Sequence, residues 1–323
     1  MTRITRGRVG GPVPRTPPTV PAARPTELST APALGVLICH DGGRWLPDVL
    51  AALRELAVRP RYLIAVDTGS TDRTPELLAA AGGLLDGVLT LPRETGFGAA
   101  VAAAVEHGEQ RWGDPGRWLW LLHDDCAPEP GCLAALLTVA ELSPSAAVLG
   151  PLCVDWSDPR VIVEAGVSTD ASGQRQTGIG SVELDLGQFG RNAEVLAVSS
   201  AGCLVRRDVW SALGGYDPAL PLLADDLDFG WRANGADHLV LCVPAARLRH
   251  VGALGAGLRE PDAVRTRRID ADRAHGVRTY LVNCSATAFL TGLPRLVLLG
   301  MLRAVGFVLV RRAAAARAEL VVV

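Results

Sequence analysis

The chain contains no lysine; all 32 of its basic side chains are arginine. Codon composition explains such a bias as readily as chemistry does, so it carries no functional reading by itself. A net charge is also missing: the formal balance is −2, with acids and bases mixed along most of the length. That argues against a nucleic-acid partner held by phosphate neutralisation and leaves a nucleotide ligand open. The seven cysteines include no CxxC pair and are odd in number. Small buried hydrophobes in a reducing compartment fit this better than a metal or redox role. The first 33 residues hold no continuous apolar run and are rich in Pro, Arg, Thr and Gly. They are expected to be a disordered, solvated tail and not a secretory signal.

What is present is 323 residues with 49% hydrophobic content, enough for one large core or two modest ones. From Leu34 short apolar runs alternate with helical patterns: "LGVLICH", "WLPDVLAALRELA", "RYLIAVD", "TPELLAAAG", "GVLTL", "FGAAVAAAVEHG", "WLWLLHD", "GCLAALLTVAEL" and "AAVLGPLCV". The runs predict five strands with helices between them, buried on both faces in a parallel sheet. Crossover connections then bring the strand C-termini to one edge, where ligands of open α/β folds bind. His40-Asp41, Asp67 and Asp124-Asp125 end three of those runs. Acidic groups are therefore expected to converge on one crevice.

Asp124 and Asp125 repel one another and have no basic neighbour in the sequence. A divalent cation would supply the missing charge and would also bring phosphates. Pro128, Pro130 and Gly131 are expected to make the turn after the acids and start the next helix. "RETGFGAAV" is a near miss to a dinucleotide fingerprint, with Val101 where a third small residue is wanted, so hydride transfer loses ground.

After about Asp155 the text turns rich in Gly, Ser and Asp, which predicts a hairpin or mobile loop leading to a mixed second half. The boundaries read as a tail (1–33), a nucleotide-sugar half (34–155), an acceptor or catalytic half (156–260) and a C-terminal helical segment (261–323). Residues 288–312 have about the length of a bilayer span but carry Pro294, Arg295 and Arg303. An amphipathic helix lying on a membrane surface is the expectation. The ending "ELVVV" leaves room for a further hydrophobic segment in a longer chain.

Six stretches in order, "YLIAVDTGSTDRT", "RETGFGAAV", "LLHDDCAPEPG", "GCLVRRDVWSALGGYD", "ADDLDFGWR" and "RHVG", resemble family 2 glycosyltransferases of the A-type nucleotide-sugar fold, over about Leu34 to Gly257. The resemblance implies a Rossmann-like α/β fold with a mainly parallel central sheet and helices on both faces. It implies that Asp67 binds the nucleotide base or ribose, an Asx turn being the other reading of that residue. His40, Gly96, Asp124 and Gly202 fall on the nucleotide-sugar side. Asp125 matches the metal-binding acid, with Mn²⁺ or Mg²⁺ as cofactor, and His250 matches a histidine that completes the metal or diphosphate site. His123 departs from the pattern by standing where the first acid belongs. Asp226 matches the catalytic base, with Asp225 beside it on the acceptor side, and Trp231 is either a platform for the acceptor sugar or core.

The implied activity is transfer of a sugar, with inversion, from a nucleoside-diphosphate-sugar to an acceptor hydroxyl of a glycan or lipid-linked acceptor. The implied setting is cell-envelope synthesis in the cytoplasm, at the inner face of the membrane. Two rivals stay open. A nucleotidyltransferase would need a basic phosphate-gripping loop after the first strand, where "CHDGGRWLP" offers only Arg44. A non-catalytic membrane-docking scaffold with a decayed site would account for His123 and the hydrophobic tail.

Overall fold

A computed structural model describes residues 30–180, 182–221, 223–259 and 268–322. Most of the expected N-terminal tail, residues 1–29, lies outside the described residues, as does the start of the C-terminal segment up to residue 267.

The five expected strands form. β1 (Thr30–Cys39), α1 (Leu46–Arg54), β2 (Arg59–Asp67), α2 (Thr74–Ala79), β3 (Gly87–Thr90), α3 (Phe97–Trp112) and β4 (Trp118–His123) follow in βαβ rhythm. β1 lies between β2 and β4 and is parallel to both, and β3 runs parallel to β2 at the edge. Proline at the first turn of α1 and of α2 starts each helix where a missing N–H costs nothing.

β5 (Cys126–Pro128), α4 (Cys132–Leu142) and β6 (Ala146–Asp155) come next. The stretch after the acid pair is thus not only a turn: β5 pairs antiparallel with the end of a later strand. The region expected to be hairpin or loop contains β7 (Val161–Glu164), the β8 (Ser168–Thr169) and β9 (Arg175–Gln176) hairpin, β10 (Glu183–Leu184) and β11 (Ala193–Glu194). β12 (Leu204–Arg206) then enters the sheet between β4 and β6, antiparallel to both. α5 (Arg207–Ala212), α6 (Asp225–Gly235) and β13 (Leu239–His250) follow, and β13 runs parallel to β6. Among the described residues, α7 (Arg268–Asn283), α8 (Ala286–Leu309) and α9 (Ala313–Val322) follow. The main sheet has the order β10-β7-β6-β12-β4-β1-β2-β3.

Alternation along β1, β2 and β4 fills the two largest core clusters, whereas β3 at the edge is not fully buried at any position. Leu37, Cys39, Leu63, Ala65, Trp120 and Leu122 face Leu46, Leu50, Leu53, Leu133 and Leu136 of α1 and α4. The intervening Leu34, Val36, Ile38, Ile64, Leu119 and Leu121 face Ala100, Val101 and Ala104 of α3 and Phe229 of α6. A period-2 side-chain repeat in strands covered by helices on both faces demands apolar residues at every position, which is why the runs read as continuous.

Candidate active site

Register brings the strand ends together. Cys39 pairs with Asp67 across β1 and β2, and Ile38 pairs with His123 across β1 and β4. Asp67, Asp124, Asp125, Asp225 and Asp226 are all buried. Cys39 therefore lies beside Asp67 on β2, and the next residue, His40, reaches Asp124 through its backbone N–H, so the two acids flank the end of β1.

On that side the chain builds a turn network. His40 Nδ1 lies 2.8 Å from Thr68 Oγ1, and the His40 backbone N–H donates to Asp124 Oδ2 at 2.7 Å. Asp67 Oδ1 accepts the Ser70 N–H, three residues on, at 3.0 Å and so closes the loop after β2. Asp41 accepts from the Thr71 N–H and from Arg93. Burial would raise the Asp41 carboxyl, but these donors outweigh it and hold it at about 2.

The acid pair does have a basic neighbour, though a distant one in sequence. Arg259, from the segment after β13, donates to both oxygens of Asp124 and to the His40 carbonyl, and lies 3.8 Å from Asp125 Oδ2. Its guanidinium also stacks over Trp45, 5.2 Å from the ring centre. Even so, burial dominates at Asp124 and raises its carboxyl to about 6.

Asp125 divides its two oxygens between two tasks. Oδ2 accepts the Ala253 N–H at 2.8 Å, tying down the loop after β13. Oδ1 faces His123 Nδ1 at 3.8 Å and His250 Nε2 at 3.6 Å. One ligand atom from each of His123, Asp125 and His250 lies within 4.8 Å of the others. Burial would raise the Asp125 carboxyl, but His250 and the other nearby cationic groups pull it well below the carboxylate range. Burial lowers His123 to about 4, so its ring is neutral at pH 7 and keeps a nitrogen lone pair. Burial pulls His250 down, and the Asp125 carboxylate more than reverses this, leaving it raised. Two imidazoles and a carboxylate around one point fit a divalent cation. His123 is therefore not an outlier in the cluster; its Nε2 is further fixed 3.0 Å from Ser200 Oγ.

Within electrostatic reach of this cluster, α6 begins on Asp225 and Asp226. His123 also feels the Asp226 charge, and His250 feels those of Glu164 and Arg175, so both sides belong to one electrostatic unit. Burial and the adjacent Asp226 raise Asp225 to about 7. Asp226 is gripped by Arg175, whose other nitrogen holds Glu164.

A Cβ on Gly96, at the N-terminus of α3, would lie 2.9 Å from the Pro221 carbonyl oxygen. Gly202 has φ +78°, and a Cβ there would meet Pro151 and Leu248. Trp231 lies edge-on to Tyr280 of α7, with ring centres 6.1 Å apart. Sequence reading missed Arg259, Arg175, Glu164 and Ser200. No local pattern marks them, because each finds its partner through the fold.

Residues 36–270 match the sequence model of the family described as "Glycosyltransferase like family 2". An "N-acetylglucosaminyl-diphospho-decaprenol L-rhamnosyltransferase" of Mycobacterium tuberculosis is 30% identical over 249 residues, covering 70% of this chain and 78% of that protein. Among solved structures, GalNAc-T7 with UDP, GalNAc and Mn²⁺ superposes with a TM-score of 0.53 at 16% identity, over 77% of this chain and 47% of that one. The chain thus spans about half the length of that structure. S. aureus TarS 1-349 in complex with UDP-GlcNAc superposes with a TM-score of 0.51 at 11% identity, over 89% of both chains. These two show the fold alone. With a family match across most of its length and a relative at that level of identity, the chain belongs to the family 2 glycosyltransferases.

Proposed function

We propose that this glycosyltransferase moves a sugar from a nucleoside diphosphate to an acceptor hydroxyl with inversion, and that Asp226 is the base. What supports this reading most is the pairing of a His123–Asp125–His250 cluster with a buried carboxylate close enough for His123 to feel its charge. Residues 34–155 would hold the donor, with Asp67, His40 and Asp124 on the nucleotide side and Gly96 and Gly202 shaping the walls. Residues 156–260 would bring base and acceptor together, with Asp225 and Trp231 on the acceptor side.

Mn²⁺ or Mg²⁺ would be held by His123, Asp125 and His250 and would supply positive charge against the donor diphosphate. Asp226 takes the proton of the acceptor hydroxyl as the oxygen bonds to the anomeric carbon, through an oxocarbenium-like transition state. Burial of the acids keeps water from competing. The tuberculosis relative supports an L-rhamnosyl donor and a lipid-diphosphate-linked acceptor as the first pair to try. The setting would be cytoplasmic, at the inner membrane face, with peripheral contact through residues 288–312.

A panel of nucleotide sugars with Mn²⁺ tests the reading. Release of nucleoside diphosphate and a glycosylated acceptor is the expected result. Pyrophosphate release would point to nucleotidyl transfer, and neither binding nor turnover would point to a scaffold. Asp226→Asn should slow transfer by about 10²–10⁴-fold with donor binding retained, the usual cost of losing a general base. Unchanged turnover would remove Asp226 from the role.

A further inference from the structure

Asp226 has more company than a base at a helix N-terminus needs. Arg175, on β9, donates from Nη1 to Asp226 Oδ1 at 2.6 Å and Oδ2 at 2.8 Å. Its Nη2 donates to Glu164 Oε2 at 2.9 Å, and Glu164 Oε1 accepts the Ser199 N–H at 3.1 Å. The Leu227 N–H adds a further bond to Asp226 Oδ1 at 2.7 Å. Three acids, Glu164, Asp225 and Asp226, are buried around this point, and the guanidinium is the cation that answers them.

The bonds are not spread evenly over the carboxylate. A carboxylate offers roughly four lone-pair sites, two on each oxygen. Oδ1 receives two donors, from Arg175 and Leu227, and is filled. Oδ2 receives one, from Arg175, and keeps a lone pair. We infer that Arg175, backed by Glu164, is a positioning residue that fixes the Asp226 carboxylate so that Oδ2 is the atom that takes the acceptor proton. The inference rests on the reading of Asp226 as base. In the step, the acceptor O–H bond breaks and its proton goes to Oδ2. The oxygen's electron pair forms the bond to the anomeric carbon, and the carbon–oxygen bond to the diphosphate breaks, its electron pair leaving with the nucleoside diphosphate.

The hairpin carrying Arg175 is itself braced. Arg273 of α7 donates to the Ser172 carbonyl at 2.5 Å, and Arg295 of α8 donates to the Ala171 carbonyl. Asp170 Oδ1 accepts the Ser172 and Gln174 N–H groups at 2.8 and 3.0 Å. A Cβ on Gly173 would strike the Gly276 carbonyl oxygen of α7 at 2.5 Å, so the tip lies directly on that helix. The clamp on the base is therefore held from behind by the C-terminal helices.

The test compares Arg175→Gln, Arg175→Lys and Glu164→Gln in the full chain, using the nucleotide sugar and acceptor that the panel identifies. Arg175→Gln should lower kcat by about 10–100-fold, the scale of a misplaced reacting group, with the donor KM within about two-fold of wild type. Arg175→Lys should restore part of kcat, since an ammonium keeps the charge but loses the fork. A kcat for Arg175→Gln that matches wild type, or a rise in donor KM alone, would overturn the inference. If the wild-type chain transfers no sugar, the glycosyl-transfer reading fails, and the clamp is read separately from unfolding midpoints. Arg175→Gln and Asp226→Asn together should then lower the midpoint by less than the sum of the single changes. Additive shifts would overturn the clamp too.

Discussion

Three acids share the first turn of α6, and their surroundings give them different work. Asp228 is spent on structure, bonded to Arg232 at 2.7 Å and to Asn283 at 2.8 Å. Asp226 faces Arg175, and Asp225 is raised to about 7 by burial and by Asp226 beside it. A free aspartate titrates near ~3.9, so between about pH 4 and pH 7 the folded chain holds a proton that the unfolded chain has lost. Stability from this group therefore falls as pH rises through that window. Asp225→Asn should flatten the decline, and unfolding midpoints measured from pH 4 to 7.5 on both proteins check it; parallel curves would count against the shift. In the His123–Asp125–His250 cluster, Asp125→Ala should abolish Mn²⁺-dependent nucleotide binding, and calorimetry giving equal affinity with and without metal would remove Asp125 as a ligand. The acids were legible because each ends an apolar run or starts a helix motif. The cations that answer them were not: Arg175 and Arg259 reach their partners across 51 and 135 residues, and nothing local to "SGQRQTG" or "GLRE" announces that.

The strands buried on both faces could be read directly, since a parallel sheet covered twice leaves no polar positions. β1 nonetheless starts at Thr30, ahead of the Leu34 expectation, because Thr30 and Ala31 pair with Arg59 and Pro60 of β2. β5 escaped notice for a different reason: it has three residues, too few for a periodic signal, and it exists only because a partner strand passes beside it. α6 shows how tightly the helix bearing Asp226 is seated. A Cβ on Gly230 would lie 2.5 Å from Ala197 Cβ and 2.7 Å from the Leu196 carbonyl oxygen. Gly230→Ala should therefore push α6 off the Leu196–Ala197 segment and cost about 1–3 kcal/mol by overpacking, despite alanine's better helix propensity. Denaturant unfolding measures this; a stabilised variant would mean that the seat can relax.

α8 is long and apolar enough to cross a membrane by length and composition, yet only Gly292, Leu296, Gly300 and Ala304 along it are buried. Those four recur every fourth residue and turn inward. Leu298, Met301, Leu302, Val305, Val308 and Leu309 remain exposed, with Arg311 and Arg312 exposed at the end. An apolar face beside basic groups matches the chemistry of an anionic lipid surface. Flotation with vesicles containing anionic lipid should carry the protein upward, and Leu302→Asp with Val305→Asp should leave it behind. Recovery of both proteins in the bound fraction would dismiss this face. The sequence made this segment visible through its length and its internal arginines, but not what the arginines do: Arg295 reaches the Ala171 carbonyl and Arg303 approaches Glu319.

The antiparallel entry of β12 between β4 and β6 has a consequence for any attempt to dissect the enzyme. The stretch that ends in the acid pair and the stretch that leads to Asp226 are woven through each other, with a late strand closing a gap left by earlier ones. A fragment ending near Asp155 would bare the flanks of both β4 and β6 and would seek other chains to pair with.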